Sequence, residues 1–571
     1  MMFRWFDRFG RKLAPLAVVL VVAGCGAEQF DAAQDDGIGG TAPGEDYDGN
    51  EAENNDHGNH ANDENDGDFD EPEDEEFVVE QVAATESYVF VPNQTEGSET
   101  VALIDGRDFG VQPVQVGLQP EKVQAADIED QGAVGYVLST GQPTVSVIRA
   151  DVDGGSGVAD VQIRSVPSEV NELTLSPDGE HLLAYIDPDE PINVGSSAAS
   201  LQTMALLRLG SQPGEEQVFE LSVTPYIDDI IFTDDGNQAF IAGADGIHRM
   251  WLNDVKSDMV VPSLQLESEG VDVDGDDREV AVTADGGVLA LRNGDDAGVA
   301  LYALGDEGGE VDDSRVVELA GAPSDLELIE DDESRMVVAP IRSEQKVVTF
   351  DVDEALDADE GDDGFINTID ASGADAGISR FTPDESAMVT FSTVPEIPTV
   401  GLVDIDSGQI ETHRLRNQIR NLEISPDSQT AVAVHQRQEG SGGSDPEEAF
   451  RHSEGLTLWD LESGYLRPIT LHGYPEQIVM VSDSDERAFL YVMLVPSEDD
   501  PSADAEGVMR INLRTHATEF YGLPRLPNRL GAVADQVFVG QDQESGRITF
   551  FDVDTGQQRT ISGYELNAGI E

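Results

Sequence analysis

The stretch "NELTLSPDGEHLLAYID" at residues 171–187 sets two apolar runs on either side of a Ser-Pro-Asp-Gly turn. Alternation of apolar and polar positions is the period of a half-buried strand, and the Asp/Gly-rich centre is hairpin chemistry. Asp accepts backbone hydrogen bonds there, and Gly takes the positive φ. The same form returns as "DDIIFTDDGNQAFIAG" (228–243), "ISRFTPDESAMVTFST" (378–393) and "NLEISPDSQTAVAVHQ" (421–436). It returns more loosely as "REVAVTADGGVLALRN" (278–293) and "QIVMVSDSDERAFLYV" (477–492). A repeated hairpin restricts the chain to architectures made by stacking one small unit.

The unit is longer than the hairpin. A third apolar strand ends in Asp and a tight turn, as in "KVVTFDVD" (346–353), "TVGLVDIDSG" (399–408), "LTLWDLESG" (456–464) and "ITFFDVDTG" (548–556). After the last three come the polar strands "QIETHRLR", "YLRPITLH" and "QQRTISGY". Four antiparallel strands then recur every 40–60 residues or so. Ten units begin near residues 80, 120, 170, 227, 277, 323, 376, 419, 475 and 528.

Such units resemble blades of β-propellers of the WD-repeat, YVTN and TolB-like groups. The "SPDG" hairpin is most like the TolB and YVTN types, and "LWDLESG" is most like a WD repeat; the WD-repeat Gly-His pair is absent. The resemblance covers nearly all of 77–571. It implies an all-β propeller of seven to ten four-stranded antiparallel blades, as one large ring or two smaller ones. One closed array is expected, because no Pro/Gly/Ser linker separates two halves. Residues 353–364, 437–455 and 496–507 read as long loops inside units.

The N-terminus reads as an address. Arg4, Arg8, Arg11 and Lys12 precede an apolar run at 13–23, about half the length of a bilayer span. The run ends in "VAGC" (22–25), which resembles the bacterial lipoprotein box. That resemblance implies cleavage after Gly24 and lipid on the sulfur of Cys25, the only cysteine in the chain. With Gly rather than Asp at residue 26, it favours the outer membrane. Residues 1–24 are then a signal peptide, 25–76 a tether and 77–571 the folded ring.

Residues 26–76 hold twenty Asp or Glu and no Lys or Arg. So polar a segment cannot bury enough apolar surface to offset the entropy of ordering, so a disordered, extended spacer is expected. The excess of acid continues beyond it: the chain has 116 acidic and 31 basic residues, four of them Lys, for a net charge of −85. Such a surface disfavours nucleic acid. An acid-rich, lysine-poor folded region resembles proteins of salty environments, where screening removes self-repulsion. A single cysteine excludes disulfides within the chain and Cys-based metal sites.

Reactive constellations are sparse. No Gly-x-Ser-x-Gly elbow occurs. Asp272, Asp274 and Asp276 have the alternate spacing of a calcium loop, but its glycine and closing Glu are missing, as they are for Asp66, Asp68 and Asp70. His57 and His60 form a weak transition-metal pair in the tether; the other histidines are isolated. No cofactor is expected, with calcium the one alternative. The leading expectation is a non-enzymatic, lipid-anchored envelope propeller that binds a protein partner at its faces. The alternative is a propeller hydrolase or lyase with central carboxylates, in which acids from several blades would converge on the axis.

Overall fold

The computed structural model describes residues 77–566 except 80, 151–158, 188–200, 267–269, 273–276, 306–309, 331–333, 360, 375, 395–397, 406, 441–444, 485–486, 498–502 and 542–545. The chain is a ring of ten blades, so the ten repeat units are ten sheets. Their first strands are Ala83–Ala84, Pro120–Ile128, Glu172–Leu175, Ile227–Phe232, Arg278–Val282, Glu327–Glu330, Ile378–Phe381, Ile419–Ile424, Tyr474–Ser482 and Pro527–Val533. These begin within a few residues of the ten expected starts. First strands pack on one another between blades 1 and 2, 2 and 3, 5 and 6, 9 and 10, and 10 and 1, so they are innermost and line the axis.

The strand pattern explains the layering. Second and third strands are buried along most of their length, as in His181–Tyr185 of blade 3 or Gly455–Asp460 of blade 8. Their side chains fill the space between blades: Leu183 and Met204 of blade 3 pack with Ile241 and Met250 of blade 4. Burying each such side chain contributes about 1.5–3 kcal/mol. Fourth strands, such as Gln409–Arg414, alternate between exposed and half-buried positions at the outer rim.

The repeated hairpin turn is a polar box. In blade 5 the Thr283 hydroxyl donates to Asp285 Oδ1 (2.7 Å) and accepts from the Val288 N–H (2.9 Å). Asp285 Oδ1 also accepts from the Gly287 N–H (2.8 Å), and the Gly286 N–H donates to the Thr283 carbonyl (2.8 Å). The hydroxyl–Asp contact recurs at Ser176–Asp178, Thr233–Asp235 and Ser425–Asp427. The residue after each Asp has positive φ: Gly179, Gly236, Gly286 and Ser428. Asp at the end of the third strand caps the next turn, accepting from Ser407 N–H at Asp404 and from Thr555 N–H at Asp552.

Among the described residues two blades depart from four strands. Blade 4 has three, Ile227–Phe232, Gln238–Gly243 and Gly246–Trp251, while Met259–Val260 pairs parallel with Gln217–Val223 as a fifth strand of blade 3. The segment then crosses over: Val261 N–H donates to the Ser222 carbonyl of blade 3, and Leu264 N–H to the Ile247 carbonyl of blade 4. One segment stitches two blades. The expected loop at 353–364 begins inside a short helix, Val352–Asp357, capped by Asp351, and the loop at 437–455 holds another, Pro446–Arg451.

The ring closes without strand exchange. Blade 1 is built from the first four strands and blade 10 from the last four. Phe77, Val79 and Val89 pack with Val533, Phe538, Ile548 and Leu566, and Ala534 N–H donates to the Glu86 carbonyl (2.7 Å). Among the described residues no helix is long and apolar enough to cross a membrane.

Candidate functional site: the axial wall

Antiparallel alternation puts the start of every first strand at the same mouth of the axis. Five of the ten carry a β-bulge there, at Glu121, Asp228, Arg420, Glu476 and Asn528. Each bulged residue is polar or charged. A bulge bends the strand and re-aims the extra side chain. Half the blades therefore present a redirected polar group to one mouth, and exposed Tyr226 and Leu526 directly precede two of the bulged strands.

These groups join neighbouring blades. Lys122 Nζ pairs with Glu172 at 2.8 Å between blades 2 and 3, and Arg278 with Asp228 at 2.8 Å between blades 4 and 5. Arg420 donates to the Pro475 carbonyl (2.6 Å) and lies over the Tyr474 ring between blades 8 and 9. Leu530 N–H donates to Gln477 Oε1 (2.8 Å), and Asn528 Nδ2 to the Val79 carbonyl, which carries the circuit through blade 10 to blade 1.

Carboxyl groups converge on one sector. Asp325 is buried and accepts from both the N–H and the hydroxyl of Ser379 on blade 7. Glu279 of blade 5 pairs with Arg292 at 2.5 Å and shares a hydrogen bond with Asp325; burial first, then Asp325, pushes its carboxyl up to about 7. Glu327 of blade 6 lies 3.9 Å from Arg380, and burial, with Asp325, pushes it up to about 7 as well. Carboxyls in such a setting hold a proton near neutrality, which general acid chemistry needs.

Of the residues singled out in the sequence, few fall among the described ones. Cys25, Gly24, Asp66, Asp68, Asp70, His57, His60, Asp274 and Asp276 lie outside the described residues. Asp272 is exposed ahead of blade 5, where its N–H donates to Asp296 Oδ2 (2.7 Å). The histidines stay apart: His248 pairs with Asp245 (2.9 Å), His413 with Glu411 (3.0 Å), and His516 stacks on Tyr465. His435 is buried against Thr457 and the Gln418 carbonyl, and burial pushes it down to about 4. Among the described residues no three His, Cys, Asp or Glu are grouped to hold a metal ion.

The bulges had a signal that sequence reasoning passed over. Each sits in a polar doublet that breaks the alternation at the start of a strand: Glu121-Lys122, Asp228-Asp229, Arg420-Asn421, Glu476-Gln477 and Asn528-Arg529. The doublet is suggestive without being decisive, since Arg278-Glu279 opens blade 5 with no bulge.

No protein-family model and no curated relative matches the chain. Among solved structures the chain is similar to a crystal structure of the eukaryotic initiation factor, at 12% identity over 76% of this chain and 96% of that one, with a TM-score of 0.45. It is similar to AztD from Citrobacter koseri at 14% identity, over 66% and 93%, with a TM-score of 0.32. It is similar to Hsv2 from Kluyveromyces lactis at 11% identity, over 63% and 98%, with a TM-score of 0.36. Likenesses this distant bear on no function, and the fold stands on the strand pairings themselves.

Proposed function

We propose that this chain is a lipid-anchored protein of the bacterial envelope, held at the outer membrane through Cys25, whose ring is a non-enzymatic binding module for a protein partner. The observation that carries the reading is the single cysteine at the end of "VAGC", followed by twenty acidic residues without a base before the ring begins. The ring suits a rigid platform, since its polar groups tie blade to blade around the axis. Several acyl chains at about 0.8 kcal/mol per buried methylene give lasting attachment. The test is mass spectrometry of the mature N-terminal peptide with membrane fractionation. Acylated Cys25, and release of a Cys25→Ser variant from membranes, are expected; an unmodified cysteine in membrane-free protein would overturn the anchor.

A second reading has one observation in its favour. Glu279 and Glu327, on the inner strands of blades 5 and 6, are each coupled to Asp325 just ahead of the blade 6 strand, the convergence that a hydrolase or lyase would need. Screening the purified chain against glycosides and uronate-containing polymers tests it. Turnover lost in Glu279→Gln would establish the enzyme, and no turnover would leave the binding module.

A further inference from the structure

Arg529 stands out on the axial wall. It follows the bulge at Asn528 on the inner strand of blade 10, and it is half-buried. Among the described residues its guanidinium makes no hydrogen bond and no ion pair, while its backbone pairs with Gly540. The contrast is with the rest of the chain, where acids outnumber bases nearly four to one. Lys122, Arg278, Arg292 and Arg380 on other blades all have carboxylate partners within 4 Å. Two blades round, Arg420 has one carbonyl and the face of Tyr474, and it feels the charges of Glu454 and Glu476 without pairing with either at ion-pair distance. Burial weakens the charged form of both guanidiniums. The half-buried Arg529 guanidinium therefore has open donors, and a guanidinium fork matches a carboxylate in two parallel hydrogen bonds.

We propose that the axial wall at blades 8 to 10 is a binding site for carboxylate groups, with Arg529 and Arg420 as its contact residues. The net negative charge does not forbid it, because repulsion from distant carboxylates is screened beyond about 10 Å at 0.1 M salt. Two sources can supply the carboxylates. One is the chain itself: Glu71, Glu73, Asp74, Glu75 and Glu76 precede Phe77, and the Val79 carbonyl is bonded to Asn528, the neighbour of Arg529. Covalent connection gives those groups a high effective concentration at the site. The other is a separate acidic ligand. The inference rests on the reading of the ring as a binding module, and it is independent of lipid on Cys25.

The test measures binding of a fluorescent hexaglutamate peptide to the full mature chain by anisotropy at 0.1 M salt. The variants are Arg529→Gln, Arg420→Gln and a chain with the five acids of residues 71–76 changed to amides. With the chain's own carboxylates on the site, the wild type binds weakly. The amide variant then binds at least tenfold tighter, and adding Arg529→Gln removes the gain. With a separate ligand, the wild type and the amide variant bind alike, and Arg529→Gln or Arg420→Gln weakens both at least tenfold. Thermal unfolding of the amide variant separates binding from structure: with no carboxylate of residues 71–76 to lose, adding Arg529→Gln leaves its melting temperature unchanged. Hexaglutamate affinity indifferent to both arginines, absence of binding by every variant, or a melting temperature lowered by adding Arg529→Gln to the amide variant would each overturn the proposal. None of these outcomes depends on membrane attachment.

Discussion

The Arg249 guanidinium of blade 4 donates from Nη1 to the Gly305 carbonyl of blade 5 at 2.6 Å. It also donates to Gln238 Oε1 (2.8 Å) and the Gly286 carbonyl (3.1 Å), and it lies over the Trp251 ring. The arrangement repeats. Arg149, Arg208 and Arg510, all on third strands, reach the Gly210, Leu252 and Val553 carbonyls, each just past the third strand of the next blade. Where apolar surfaces alone would let blades slide, a buried arginine fixes their register. Arg249→Met keeps much of the volume but leaves two carbonyls without donors, at about 1–3 kcal/mol each. Urea unfolding of this variant is expected to show a loss of about 3 kcal/mol; no change would mean that packing alone sets the register.

The turn box gives a smaller, more local prediction. Thr283→Val keeps the shape of the side chain and removes the hydroxyl that joins Asp285 to the Val288 N–H. The buried N–H and the carboxylate each lose a partner. A loss of about 1–2 kcal/mol is expected by denaturant unfolding. The same change at exposed Thr515, in the turn after the third strand of blade 9, is expected to cost less than half as much.

How much was legible follows from which residues carry each feature. Ser176, Asp178 and Gly179 act on their own backbone, so the hairpin and its recurrence could be read residue by residue. Ten repeat units followed from that, while the number of blades stayed between seven and ten until the strand pairings gave ten. The axial wall was not legible, because Arg420 and Arg529 are ordinary polar residues of a strand until a bulge turns them and a ring gathers them. The three-stranded form of blade 4 and the fifth strand of blade 3 were equally hidden. Met259 and Val260 look like any short apolar pair, and only the geometry of two blades decides which sheet they join. The arginines that bridge blades were missed for the opposite reason: Arg149, Arg208, Arg249 and Arg510 lie on apolar third strands, where a long stem packs and a charged head finds carbonyls one blade away.

Glu279 predicts a pH dependence. Burial, with Asp325, raises its carboxyl from 4.5 to about 7 in the folded chain. For an acid raised on folding, the unfolded chain releases its proton first. Stability is therefore lost as pH climbs from 4.5 through about 7. Glu279→Gln mimics the protonated carboxyl and is free of this loss. Because the side chain is 33% exposed, channel water screens the effect to about 1 kcal/mol. The variant is expected to melt higher than the wild type at pH 8 and no higher at pH 5. A difference of the same size at both values would remove the titration from the account.

Charge over the whole ring sets a salt response. Residues 77–571 carry 95 acidic and 27 basic side chains. Self-repulsion of that size destabilises a compact state, and 1 M salt shortens its range to about 3 Å. The melting temperature is expected to climb continuously between 0.1 and 2 M potassium chloride. A plateau below 0.3 M would mark an ordinary acidic surface rather than one fitted to brine.

Phe77 tests how the ring is shut. Its side chain is 1% exposed, in the cluster that joins blade 1 to blade 10. No strand crosses that junction, so packing and a few hydrogen bonds must hold it. Phe77→Ala leaves a cavity and is expected to cost about 3–5 kcal/mol, as for a core aromatic elsewhere. The location of the damage is the discriminating feature. Phe240→Ala, between blades 4 and 5, is expected to lower stability by a similar amount without freeing either end of the ring. With Phe77→Ala, limited proteolysis under native conditions is expected to cut first within blades 1 and 10, because opening at an unlaced seam exposes their strand edges while blades 4 to 7 stay packed. Early cuts spread evenly over all ten blades would show instead that the seam is no weaker than any other junction, and that closure is cooperative around the whole ring.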